Sequence, residues 1–335
     1  MWGAGGTGCA GIVTSGPAAV KPGAAGSNCS TTGNETSRFL LTQLNPTQGN
    51  QIEGSGAGSV YVGDEGTANY NGLVSSINHR LSSTFSLLAN WTWSKCLNIE
   101  DAQGDLAGTT VENPNNLALD YGPCGSDFRH IENISLVAKS GFNNHLNNFA
   151  KLVINNWELA PLIRIESGAP FTVTSGQDNS LTDVGNDRPN LVPGVNPYAE
   201  AKFHKGTGEV NREYLNPAAF AQVTASCAST TTGGCSALGT YGNISKNSFR
   251  GPDSLQFDAQ ISRIFPIHES LSTTLRLEAF NVLNYPDFNI PTGGTTGTPG
   301  GTTGGAAVLT SSTFGQLSST TNNARVFQGS IKINF

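Results

Sequence analysis

Arg325-Val326-Phe327-Gln328-Gly329-Ser330-Ile331-Lys332-Ile333-Asn334-Phe335 puts Phe327, Gly329, Ile331, Ile333 and Phe335 on one side of an extended chain and Gln328, Ser330, Lys332 and Asn334 on the other. Successive side chains of a strand point to opposite faces, so this is a strand with one apolar and one polar face. In an antiparallel sheet of a globular protein the apolar face is dry and the polar face wet. A transmembrane strand inverts that logic, with the apolar face turned to lipid and the polar face to a lumen. The alternation alone does not choose between them.

The same pattern recurs upstream. Leu271 to Leu283 sets Leu271, Thr273, Leu275, Leu277 and Ala279 against Ser272, Thr274, Arg276 and Glu278; Leu255 to Ile267 sets Leu255, Phe257, Ala259, Ile261 and Phe265 against Gln256, Asp258, Gln260 and Ser262. Thr84 to Lys95 opposes Phe85, Leu87, Ala89, Trp91 and Trp93 to Ser86, Asn90, Thr92 and Ser94, and it follows Tyr70 to Leu81 through Ser82-Ser83. Asp127 to Ser140 alternates less cleanly, and Leu152 to Ser167 places Val153, Trp157, Leu159, Ile163 and Ile165 opposite Asn156, Glu158, Arg164 and Glu166. These are about seven strands of ten residues or more, where globular strands average roughly five or six. The connections alternate too: short at 82–83, 141–151 and 268–270, long at 96–126, 168–254 and 284–324. Short turns at one end and long loops at the other are the signature of an outer-membrane barrel, and loops of this length count against a compact soluble domain. The fold expected is all-β: antiparallel transmembrane strands over 70–335, preceded by a Gly-rich, mostly extracellular loop segment over 1–69.

Composition agrees. Charged residues are 13% of the 335, about half the roughly 25% usual for soluble domains. A net charge of -6 with no basic cluster removes the footprint of a nucleic-acid binder. No stretch approaches eighteen consecutive apolar residues, which excludes a helical span but not strands of about ten alternating residues. Met1-Trp2-Gly3-Ala4-Gly5-Gly6-Thr7-Gly8 lacks the positive start and apolar core of a secretory signal. An exported barrel without a signal is expected to be a fragment or a truncated gene model.

Six cysteines fall as Cys9 and Cys29, Cys96 and Cys124, and Cys227 and Cys235, each pair within one expected outside segment. Six allow fifteen connectivities; a Cys96–Cys124 bond would staple one long loop at its feet, in an oxidising compartment, whereas free buried thiols are the plainer alternative. Gly3 to Gly8 matches Gly-x-Gly-x-x-Gly, but a dinucleotide site needs a preceding strand, so it reads as a flexible segment, and Gly293 to Gly305 as a mobile surface loop. Asp127, Arg129 and His130 are weak as a catalytic set, because alternation sends Arg129 and His130 to opposite faces; neither a Gly-x-Ser-x-Gly elbow nor metal-ligand spacing occurs. No enzyme, cofactor or metal is expected. Glu158, Arg164, Glu166, Asp258, Arg276 and Glu278 share the expected inward faces. They form either a wall that meets cargo or a plug, or, more simply, a cross-strand charge ladder. Trp91, Trp93 and Trp157 read as lipid-interface aromatics.

Several strings together resemble the C-terminal part of a TonB-dependent receptor of the Oar-like type: Asn69-Tyr70-Asn71-Gly72-Leu73, Trp91-Thr92-Trp93-Ser94-Lys95-Cys96, Tyr121-Gly122-Pro123-Cys124 leading into Asp127-Phe128-Arg129-His130, Ser167-Gly168-Ala169-Pro170-Phe171-Thr172-Val173, Asp187-Arg188-Pro189-Asn190, Leu215-Asn216-Pro217-Ala218-Ala219-Phe220, Phe249-Arg250-Gly251-Pro252 and Leu277-Glu278-Ala279-Phe280-Asn281-Val282-Leu283-Asn284. The resemblance covers 69–335. It implies a 22-stranded barrel with a plug, TonB-driven uptake of a large or scarce solute, outer-membrane lipid around it, and a terminal strand whose Phe335 is read by the barrel-assembly machinery. The plug and the TonB-contacting segment of such receptors are not in this sequence, so the TonB system would act through a missing N-terminal region. A passive porin-like channel and a secreted β-rich adhesin or glycan-binding protein are the competing expectations.

Overall fold

The computed structural model describes residues 64–80, 82–99, 111–113, 116–141, 148–180, 187–199, 202–203, 210–223, 241–268, 271–291 and 306–335. Seven long strands form one sheet: β1 (Ala68–Arg80), β2 (Phe85–Asn98), β3 (His130–Lys139), β4 (Trp157–Glu166), β5 (Ser254–His268), β6 (Leu271–Phe280) and β7 (Val326–Asn334). Each pairs antiparallel with the next in chain order, and the short strand Gly122–Pro123 adds to the end of β2. All seven expected strands are present. Among the described residues β1 and β7 each have one unpaired edge.

Through the body of the sheet the register carries the alternation from strand to strand. One row reads Ile77, Ala89, Ile134, Ile163, Phe257, and its counterpart on the other face reads Ser76, Asn90, Asn133, Arg164, Gln256. A slip of one residue would exchange the faces, and the one shift, between Pro266 and His268, comes at the β5–β6 turn, beyond the body of the wall. Pro161 sits mid-sheet without breaking it. It faces Ala259 on β5, while the pairing to β3 skips Leu136 and Val137 on the side where the N–H is missing.

Three boundaries differ from the expectation. The connection into β4 contains a seven-residue helix, α1 (Asn148–Ile154), so Val153 is helical rather than part of the strand. Asn156, at φ +65°, ends that turn and redirects the chain, as a left-handed residue does after a helix, and the Trp157 indole donates to the Val153 carbonyl at 2.8 Å. Strand β6 stops at Phe280 instead of Leu283, because Asn281 takes φ +51° and gives its N–H to Asp258 at 2.9 Å. Strand β3 begins at His130 rather than Asp127, since Asp127 is occupied in a turn onto the Cys124 carbonyl.

The hydrophobic core lies outside this sheet. Phe171, Val173, Leu215, Ala219, Phe220, Ile244, Phe249, Ala307 and Phe314 pack as one cluster, and every one belongs to the long connections. The connections contain short strands that sequence reading did not resolve, including Pro170–Thr174 between Phe249–Arg250 and Ala306–Val308, and Asn190–Leu191 against Phe220–Ala221. Phe220 meets Phe249 and Phe314 edge-on at 5.4 and 5.3 Å between centroids. The long loops thus form a folded cap at one end of the sheet. The short connections, α1 included, lie at the other.

Candidate functional site

The apolar face of the sheet has no core packed on it: Leu277, Ile331 and Ile333 on that face are 49%, 72% and 61% exposed. Exposed apolar area this continuous is unfavourable in water, at about 25 cal/mol per Å², and suits a face that meets hydrocarbon. Trp91, Trp93 and Trp157 lie on that face. The Trp93 row continues through His130 to Ser167, ten positions along β4 from Trp157. At 3.3 Å per residue this is roughly 33 Å of strand, or about 25 Å of height at a 40° tilt.

The polar face holds the residues singled out from sequence. Register places Glu158, Arg164, Glu166, Asp258, Arg276 and Glu278 all on it. Their pairing differs from a ladder across strands. Arg164 bonds Glu166 within β4, with Nε at 2.9 Å, and Arg276 approaches Glu278 within β6 at 3.7 Å. The cross-strand pair is Lys139–Glu158 at 3.1 Å; its cation went unnoticed because β3 alternates poorly. Solvated pairs of this kind contribute roughly 0–1 kcal/mol, so they set wetness and register more than stability. Asp258 instead ends β6, accepting the Asn281 N–H at 2.9 Å and the Gln256 amide at 2.8 Å.

The cap stands on three polar anchors. Cys96 and Cys124 form a disulfide across 28 residues. Beside it Asp127 Oδ1 accepts the Cys96 N–H at 2.8 Å, while Oδ2 accepts Arg129 at 2.9 Å and pairs with Arg250; Arg250 also reaches the Gly168 carbonyl at 3.2 Å. Arg129 and Asp127 therefore serve structure. The approach is close enough that a Cβ on Gly168 would collide with the Gly251 carbonyl, which explains a glycine there. In the third anchor Arg188, 4% exposed, pairs with Glu112 and donates to Asp120 at 2.6 Å, to the Ile244 carbonyl at 2.8 Å and to the Leu119 carbonyl at 2.8 Å. Glu112 Oε1 accepts the Arg188 backbone N–H at 2.8 Å, and Asp120 Oδ2 accepts that of Glu112 at 2.9 Å.

Burial raises the Glu112 carboxyl from 4.5 to about 7, against the opposing pull of Arg188. Burial also raises Asp187, which its bonds to Ser180 only partly offset. Sequence patterning gave no signal for Glu112 or Asp120 as anchors, since each is isolated in a long loop, and Asp127 read as the start of a strand. Cys9, Cys29, Cys227 and Cys235, the Gly3–Gly8 string and all of Gly293–Gly305 lie outside the described residues. Among the described residues no three His, Cys, Asp or Glu side chains converge as metal ligands.

No curated protein and no solved structure matches this chain. A family model described as outer membrane beta barrel domain matches residues 13–328, nearly the whole chain. The match agrees with the bare apolar face of the sheet and places the protein in the cell outer membrane rather than among secreted adhesins. This chain, with its long antiparallel wall and folded loop cap, belongs to the outer membrane beta barrel domain family.

Proposed function

We propose that the chain is the C-terminal part of a TonB-dependent, Oar-like receptor with a 22-stranded barrel, which imports a large or scarce solute and performs no chemistry on it. The observation that carries this reading is the cap. The strings that resemble such receptors supply its parts: Cys124, Asp127, Gly168, Phe171, Arg188, Leu215, Phe220 and Arg250 all lie in its core or its anchors. A packed outer surface suits capture of a solute from outside, whereas a passive pore needs an open mouth. On this reading Glu158, Arg164, Glu166, Asp258, Arg276 and Glu278 line the lumen and face the plug or the passing solute. The TonB system and the barrel-assembly machinery are the protein partners.

The test is electrical and biochemical. The full-length receptor in a planar bilayer is expected to stay closed without an energised partner, and to bind a purified TonB C-terminal domain. A steady open conductance without TonB binding would establish the porin-like reading instead.

A further inference from the structure

Arg263 is a cation on the apolar face. It lies level with Trp157, Leu275 and Ile331, near the end that carries the short connections. Its guanidinium sits over the Trp157 ring at 5.2 Å and the Phe265 ring at 4.6 Å, and its buried Nε has no hydrogen-bond partner. Among the described wall strands the acid on this face is Glu132, which pairs in register with Ile165. Ile165 is eight positions along β4 from the Trp157 row, roughly 26 Å of strand. Among the described wall strands no carboxylate of this face can reach Arg263. Arg263 as a whole is half-buried; where hydrocarbon replaces water around it, a charge without a counterion is costly, and ring faces offset only part of that cost.

Next to this cation the face is hollow. A cavity of about 620 Å³ is lined by Trp157, Arg263, Phe265, Leu275, Gly329 and Ile331 among others. Gly329 makes the hollow: a Cβ there would meet nothing within 4 Å. An apolar groove that ends at an unpaired guanidinium fits an amphiphile with an anionic head. Arginine's planar fork suits phosphate oxygens, and basic pockets at membrane depth take lipid head groups.

We infer that Arg263 and the groove at Gly329 form a binding site for an anionic phospholipid of the leaflet at the short-connection end, with its phosphate on Arg263 and one acyl chain along Gly329. The inference rests on reading this face as the lipid-facing one. The site holds one lipid in place against the wall.

The test uses protein recovered from outer membranes, stripped of lipid in mild detergent and resupplied with phosphatidylglycerol or with phosphatidylcholine of the same acyl chains. Native mass spectrometry counts the lipids retained. Wild type is expected to keep one phosphatidylglycerol in preference to phosphatidylcholine, and Arg263→Gln to lower that retention fivefold or more. Gly329→Leu, which the open space tolerates, is expected to lower retention of both lipids. Millimolar inorganic phosphate is expected not to displace the lipid. Unchanged retention in Arg263→Gln, or displacement by free phosphate, overturns the site. Vesicles with brominated acyl chains separate this from the reading beneath it: tryptophan quenching that persists while the site fails leaves the lipid-facing assignment standing, and absent quenching removes both.

Discussion

Replacing Arg188 with methionine should open the cap and leave the wall intact. Its side chain is 4% exposed, and its two acids, Glu112 and Asp120, are 1% and 5% exposed. Methionine fills a similar volume but strands two buried carboxyl groups and leaves the carbonyls of Ile244 and Leu119 without a donor. Breaking one side of a buried ion pair costs about 3–5 kcal/mol, and each tenfold change corresponds to about 1.4 kcal/mol. The open population of the cap should therefore rise by roughly two to three and a half decades. Arg188 touches no residue of β1–β7 among its bonded partners, so the loss belongs to the cap's own folding unit. In intact cells, external protease should cleave the variant's loops far faster than those of wild type, while the amount in the membrane and the heat-modifiable migration on gels stay the same. Unchanged cleavage would show that the hydrophobic cluster holds the cap without Arg188, and loss of the barrel itself would show that cap and wall do not fold separately.

Four further outcomes are expected. Glu112 is raised in the folded cap from 4.5 to about 7, so the stability linked to it is fully present below 4.5 and lost as pH rises through about 7; cap protection should be greater at pH 5 than at pH 8, and Glu112→Gln should flatten that dependence. Removing the Cys96–Cys124 bond should cost the loop about 3–4 kcal/mol on the chain-entropy model, and non-reducing peptide mapping should recover this pair, with Cys227–Cys235 as the second pair to look for. Residues 70–335 expressed alone should aggregate or associate through the open edges of β1 and β7, because lipid cannot satisfy unpaired backbone groups; a compact monomer with single-channel conductance defeats this. Phe335 is 99% exposed, so Phe335→Ala in the protein as it is made in the cell should lower the amount reaching the outer membrane far more than the melting temperature of what assembles, and equal membrane levels would count against an assembly signal.

Strand positions and faces were legible because a wall strand repeats one local rule. Leu277, Ile331 and Phe257 lie on the apolar face by period alone, and the register kept them there. Illegible were the places where a single side chain or dihedral overrules the period. Asn156 and Asn281 at positive φ ended elements that hydrophobicity would have continued. Cys96–Cys124 could be named because both partners are cysteines. The Arg188 cluster could not, because Glu112 and Asp120 are 76 and 68 residues away in sequence and nothing local marks them.

Wall and cap solve opposite solvent problems with one chain. In the wall, backbone pairing is satisfied strand to strand, and the apolar side chains are left bare for hydrocarbon, so its few ion pairs along β4 and β6 carry little energy. The cap meets water and must build a core as any small globular domain does, yet its segments come from connections far apart in sequence. Nine apolar residues are a small core for that task. The entropy of ordering such long loops is correspondingly offset by fixed points: a disulfide at the foot of one loop, Arg250 bridging to Asp127, and Arg188 buried against two acids. The charges that the wall can do without are therefore the ones on which the cap depends, and substitutions that leave the barrel in the membrane can still abolish its outer surface.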